Sequence, residues 1–156
     1  MKPTTLMIAT LSGLLATSAG AADYTVQRTL QLTQSATEVW HVIGDFCDID
    51  DWHPNISACS LKVRDGKLHR VLTTTTGEEV VEQRIAAEQG LSYTYQISNA
   101  PFPIENYTAT FSIEPLGGAL IGWSAKFSSD DPSMETLITD FIETGLSAIE
   151  STIGGE

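Results

Sequence analysis

Positive charge is the scarcest resource in this sequence. Its 156 residues carry 8 Lys and Arg against 20 Asp and Glu, a formal net charge of −12. So acidic a surface repels phosphate backbones and anionic lipid faces alike, which excludes nucleic acid as a partner and favours a basic protein approached with a salt-sensitive on-rate. Histidine is scarce too: His41, His53 and His69 form no HExxH pair, and the chain lacks cysteine pairs at zinc-finger spacing. There is no G-x-S-x-G elbow, no internal repeat, no linker and no low-complexity segment beyond Thr73–Thr76. No metal and no cofactor is expected from these residues.

What is present begins with compartment. Lys2 precedes an apolar run from Leu6 to Ala16 and then small residues, "TSAGAAD", the pattern of a secretory leader. The run is too short and too rich in Ser, Thr and Gly to span a bilayer. Ala19-Gly20-Ala21 offers an A-x-A site, so cleavage is expected after Ala21 or Ala22. Residues 1–22 are thus read as a leader and 23–156 as a single periplasmic or secreted domain with no membrane span. The remaining 134 residues suffice for one core, and loss of Lys2 takes the formal charge to −13.

Two cysteines remain, Cys47 and Cys59, and an oxidising compartment favours pairing them. A disulfide there would add about 3 kcal/mol in the chain-entropy account. The alternative is two buried thiols; Asp45 and Asp48 would raise rather than lower the pKa of Cys47.

Along the chain, 24–32 reads as a strand. Ser35 and Glu38 form a capping box for a helix whose apolar residues are Ala36, Val39, Trp40 and Ile43, and which Gly44 stops. "GDFCDIDDWHP", residues 44–54, should be a second short helix or turn. A period of two then sets in, broken at "RDGK", "TTGE", "EQG", "NAPFP" and "PLGG". This predicts strands at 56–64, 67–75, 78–88, 91–98, 104–114 and 119–129. The expected inward residues are Val81 and Ile85; Leu91, Tyr93, Tyr95 and Ile97; Tyr107, Ala109, Phe111 and Ile113; and Ile121, Trp123, Ala125 and Phe127. A final helix starts at Asp131 and Pro132 and ends at Gly154-Gly155, with Met134, Leu137, Ile138, Phe141, Ile142, Gly145, Ile149 and Ile153 inward. The fold class is therefore α+β: a curved antiparallel sheet of seven strands around one long C-terminal helix. A bent sheet and a helix close imperfectly, so a cavity between them is expected.

"ATEVWHVIGDF", "WHPNISAC", "NAPFPIENYTATFSIEP" and "GWSAKF", in this order before the long helix, resemble the START-like, birch-pollen-allergen-like superfamily, also called SRPBCC or polyketide cyclase-like. The leader and "FC…WHP…C" are most similar to an exported branch that includes MxaD, a periplasmic accessory protein of methanol oxidation. The resemblance implies a helix-grip fold and a pocket roofed by the long helix. In the abscisic-acid receptors of this superfamily the residue before the second strand reaches the ligand carboxylate, and His53 stands at the corresponding place. The MxaD likeness implies contact with a basic periplasmic redox protein, a dehydrogenase or its cytochrome.

Weighed for chemistry, Asp48, Asp50, Asp51 and His53 fail the calcium-loop pattern, because Trp52 stands where a ligand is needed. Cys59 beside His53 would imitate a nucleophile and base, but a disulfide removes the thiolate. His53, Gln83 and Tyr107, with Glu82 in the alternative register, are the candidates for acid/base work; no confident pair emerges. Residues 44–54 are better read as a gate stapled by Cys47 and Cys59, with Trp52 and His53 facing a pocket completed by Val81, Gln83, Tyr95, Tyr107, Trp123 and Phe141. The leading expectation is a non-catalytic binder of a hydrophobic or amphipathic small molecule. The others are an accessory protein and a cyclase- or dehydratase-like enzyme.

Overall fold

The computed structural model describes residues 20–154. Most of the expected leader, and Gly155 of the expected helix stop, lie outside them. Ten elements follow one another: β1 (Ala22–Leu32), α1 (Ala36–Ile43), α2 (Ile49–Trp52), β2 (Ile56–Arg64), β3 (Lys67–Thr74), β4 (Glu79–Glu88), β5 (Ser92–Asn99), β6 (Glu105–Pro115), β7 (Ala119–Ser129) and α3 (Ser133–Ile153). The strands form one antiparallel sheet in the order β1-β7-β6-β5-β4-β3-β2. β2 to β7 are a meander of hairpins, and β1 joins the far edge by pairing with β7 from Ala22↔Ser129 to Leu32↔Ala119. The two short helices carry the chain from one sheet edge to the other.

Local chemistry explains the joints. The Ser35 hydroxyl accepts from the Glu38 N–H at 3.3 Å while Glu38 accepts from the Ser35 N–H at 3.0 Å, both halves of a capping box. Asp65 (φ 51°) and Gly66 (φ 72°) make the two-residue turn between β2 and β3, the left-handed pair that Asp-Gly accommodates best. Helix α3 starts at Ser133, a residue or two later than expected, and Asp131 bonds the Ser133 N–H from outside at 2.9 Å. At about 1.5 Å per residue, its 21 residues run about 32 Å across the concave face. Met134, Ile138, Ile142, Gly145, Leu146, Ile149 and Ile153 are its buried stripe. Leu146 was not expected there, and Leu137, which was, is 41% exposed.

The register of β4 corrects the sequence reading. Val80 and Glu82 are buried, paired with the buried Leu72 and Arg70 of β3. Val81 and Gln83 therefore point to the convex face, where the Gln96 amide reaches the Gln83 oxygen at 3.4 Å. Ile85 is 47% exposed, at a break in register between Arg84 and Ala86. β5, β6 and β7 keep the expected phase: Tyr93, Tyr95, Tyr107, Ala109, Phe111, Ile113, Ile121, Trp123, Ala125 and Phe127 are all buried.

Candidate functional site

Three zones occupy the space between sheet and helix. The first is a sealed aromatic block at mid-helix. Trp52, at the end of α2, stacks on Phe111 at 5.9 Å between ring centroids and meets Trp123 edge-on at 5.8 Å. His53 is 1% exposed and stacks on Phe141 at 4.0 Å. Its Nδ1 accepts from the Asn55 N–H at 3.2 Å, which leaves the proton on Nε2 to be donated to the Phe141 carbonyl at 2.9 Å. Burial, and after it the nearby Arg70 charge, holds the imidazole below its ordinary pKa, while the Phe141 bond pulls the other way. Both ring nitrogens are thus engaged and the ring is neutral.

Gly145 makes this contact possible. A Cβ there would stand 2.7 Å from His53 Cδ2 and 2.8 Å from Trp123 Cζ3, inside van der Waals contact with two rings. The mid-helix glycine, costly for the helix by about 1 kcal/mol, is there for close approach. The gate reading of Trp52 and His53 is corrected accordingly: both are core, and His53 pins α3 to the start of β2 instead of reaching into a cavity. The staple itself is present. Cys47 and Cys59 are disulfide-bonded, their Cα atoms 5.6 Å apart, and Asp50 of the enclosed loop accepts from the Cys59 N–H at 2.8 Å.

The second zone is a buried ion pair. Arg70 Nε donates to Glu82 Oε2 at 2.5 Å and Nη1 donates to the Phe46 carbonyl at 2.5 Å. The guanidinium carbon lies 4.4 Å from the Phe46 ring centroid, 4.8 Å from that of Tyr95 and 5.7 Å from that of Tyr93. Burial works against the Arg70 charge, but the Glu82 carboxylate beside it more than offsets this and keeps it protonated. Burial pushes the Glu82 carboxyl up, with Arg70 opposing. Trp123 Nε1 donates to Tyr95 Oη at 3.0 Å, and burial raises the phenols of Tyr93, Tyr95 and Tyr107. Arg70 and Glu82 thus neutralise each other inside the fold.

The third zone is open. Between the first half of α3 and the ends of β3, β4 and β5 lies a cleft of about 880 Å³. Leu72, Val80, Ile97, Phe102, Tyr107 and Phe141 give it apolar walls, and Leu137 leans over its mouth. Its rim mixes the hydroxyls of Thr74, Thr75, Thr76, Ser133 and Thr136 with the exposed carboxylates of Glu78 and Asp140. Of the expected pocket residues, Tyr107 and Phe141 border this cleft; Trp52, His53, Tyr95 and Trp123 are packed away from it, and Val81 and Gln83 are on the other side of the sheet. Sequence reasoning missed Arg70, Leu72, Val80 and Phe102. A signal for Arg70 existed: in "KLHRVL" it shares the parity of Leu68 and Leu72, an inward position. No group of three or more metal-ligating side chains gathers among the described residues, and none of their helices is long and apolar enough to cross a membrane.

A seven-stranded sheet closed on a long C-terminal helix, with two short helices bridging its edges, defines a helix-grip fold. Residues 23–154 match the polyketide cyclase / dehydrase and lipid transport family, and the chain belongs to it. Among solved structures, the protein XoxI from Bacillus cereus superposes with a TM-score of 0.71 at 28% identity, over 83% of this chain and 94% of that one. A protein from Bacillus thuringiensis gives 0.71 at 29% identity, over 83% and 97%. Norcoclaurine synthase from Thalictrum flavum shares the fold at a TM-score of 0.62 and 16% identity, over 88% and 98%. No curated protein sequence matches the chain.

Proposed function

We propose that this is an exported protein that binds a hydrophobic or amphipathic small molecule, held in the cleft between the first half of α3 and the ends of β3, β4 and β5. The observation that carries this reading is the cleft's composition: apolar walls of Leu72, Val80, Ile97 and Phe102 open to the surface under a rim of threonines. Buried apolar area would supply the affinity, and the rim hydroxyls would orient a polar end. Export fits the leader-like pattern of residues 1–22 and the Cys47–Cys59 disulfide. Binding without turnover fits the neutral, doubly bonded His53 and the mutually satisfied Arg70 and Glu82.

The test uses a neutral apolar fluorophore, N-phenyl-1-naphthylamine. Saturable binding at one site per chain is expected, weakened at least tenfold by Leu137→Asp and by Phe102→Asp. Leu116→Asp, at a residue 61% exposed and away from the cleft, should leave it unchanged. Absence of saturable binding, or equal loss in the Leu116 variant, overturns the proposal.

A second reading, an accessory role through contact with a basic periplasmic redox protein, draws on the net charge of −12 and on the likeness to MxaD. It requires a partner complex that weakens steeply between low and physiological salt.

A further inference from the structure

The few cations of this acidic chain are not spread evenly. Lys62, Arg64 and Lys67 surround the Asp65-Gly66 turn of the β2–β3 hairpin, opposed locally only by Asp65, and all three are exposed. None of them forms an ion pair among the described residues, where only Arg28 and Arg70 do. The same hairpin carries large apolar side chains in water: Leu61 is 52% and Val63 71% exposed.

β2 is also a free sheet edge. Outward and inward backbone groups alternate by residue in an antiparallel ladder. The Cys59 N–H points outward, since it is bonded to Asp50 of α2 and not to β3. The N–H and C=O of Leu61 and Val63 therefore face the same open side, beyond the reach of α2. Pairing fixes the side-chain directions as well. Leu61 and Val63 lie opposite Arg70 and Leu68, on the concave face, whereas Lys62 and Arg64 lie opposite His69 and Lys67, on the convex face.

We infer that the Leu61–Arg64 edge is a docking site for an extended acidic polypeptide segment of a partner protein, added to the sheet as an eighth strand. The two faces specify its pattern: apolar residues alternating with Asp or Glu, the apolar ones meeting Leu61 and Val63 and the acids meeting Lys62, Arg64 and Lys67. Backbone bonds to the edge would supply affinity and the alternation specificity. Charge argues against the rival occupants. Two copies pairing through β2 would bring like cations together across the new ladder. An anionic membrane is a broad plane that would meet the acidic remainder of a chain of net charge −12 as well as this edge, whereas a short strand meets only the Lys62, Arg64 and Lys67 cluster. Cations on an edge strand ordinarily discourage pairing; here they reject basic and identical strands and admit an acidic one.

The experiment titrates the full mature protein, labelled for amide NMR, with a synthetic decapeptide alternating Glu and Val, and with its Lys and Val counterpart. Expected are saturable shifts centred on the Leu61 and Val63 amides, slowed hydrogen exchange of both, and affinity at least tenfold weaker in Lys62→Glu/Arg64→Glu. Val63→Pro removes one outward N–H without touching the ladder to β3 and should abolish binding with the unfolding midpoint retained. Equal binding of the Lys peptide, or binding that survives Val63→Pro, overturns the proposal. So does occupancy of the edge by a concentration-dependent dimer, or by phosphatidylglycerol vesicles in preference to the peptide. The cleft reading is unaffected by any of these results, because the fluorophore site lies on other residues.

Discussion

The imidazole of His53 donates its Nε2 proton to the main-chain carbonyl of Phe141, 88 residues later, at 2.9 Å. A loop at the start of the sheet thereby holds the middle of α3 by the helix backbone itself, along a face that only a glycine at 145 leaves bare.

Gly145→Ala should destabilise the protein although alanine is the better helix former. The added methyl meets two packed rings, and overpacking of this kind costs about 1–3 kcal/mol, more than the helix-propensity gain of about 1 kcal/mol. Urea denaturation of the variant measures the balance; a more stable variant would show that the rings yield freely.

Acidification should weaken the fold through His53. Burial keeps its folded pKa below the ordinary 6.5, so as pH falls the unfolded chain takes up this proton first. The stability contributed by the neutral ring is complete above about pH 7.5 and is lost as pH drops through 6.5 toward the folded value. Urea midpoints between pH 8 and pH 5 should slope downward, and His53→Gln should remove that part of the slope.

Arg70→Met should cost about 3–5 kcal/mol, because it strands the Glu82 carboxylate in the interior. The deficit relative to the parent should shrink as pH falls from 7 to 5. Burial raises the Glu82 pKa above 4.5, and with Arg70 gone nothing opposes that rise, so protonation relieves the penalty. The double variant Arg70→Met/Glu82→Leu should recover most of the loss. Thermal melts at matched pH would decide, and a double variant as unstable as the single one would count against the pair as the cause.

Trp52→Ala should lower stability by about 3–5 kcal/mol, the cost of emptying an aromatic core position. Its indole is wedged between Phe111 and Trp123. Fluorophore binding in the cleft should survive at temperatures where the variant remains folded. Loss of binding with an unchanged midpoint would instead restore Trp52 as a gate.

The fold was legible because its punctuation is local. The capping box at Ser35 and Glu38, the Asp65-Gly66 turn and the alternation of Tyr93, Tyr95, Phe111 and Trp123 each declare themselves within a few residues. The site was less so, for two physical reasons. In β4 the adjacent valines Val80 and Val81 carry no phase, the inward residue Glu82 is charged, and the register breaks after Arg84; apolar alternation therefore favoured the wrong face. His53 looked like a ligand contact because its partner, a backbone carbonyl far along the chain, has no signature in sequence. Leu137 is apolar yet exposed because it lies against the cleft, where an empty wall and a core face read alike.

The pairing of β1 with β7 has a consequence in time. Ala22 finds its partner in Ser129 and Leu32 in Ala119, so the first described strand waits for the last. Contacts of such long sequence separation slow folding, since a large loop must close before they form. A chain threaded outward with its N-terminus leading would hold β1 unpaired until β7 had followed it through. On the export route proposed above, late closure of this kind would keep the chain unfolded until it had passed through.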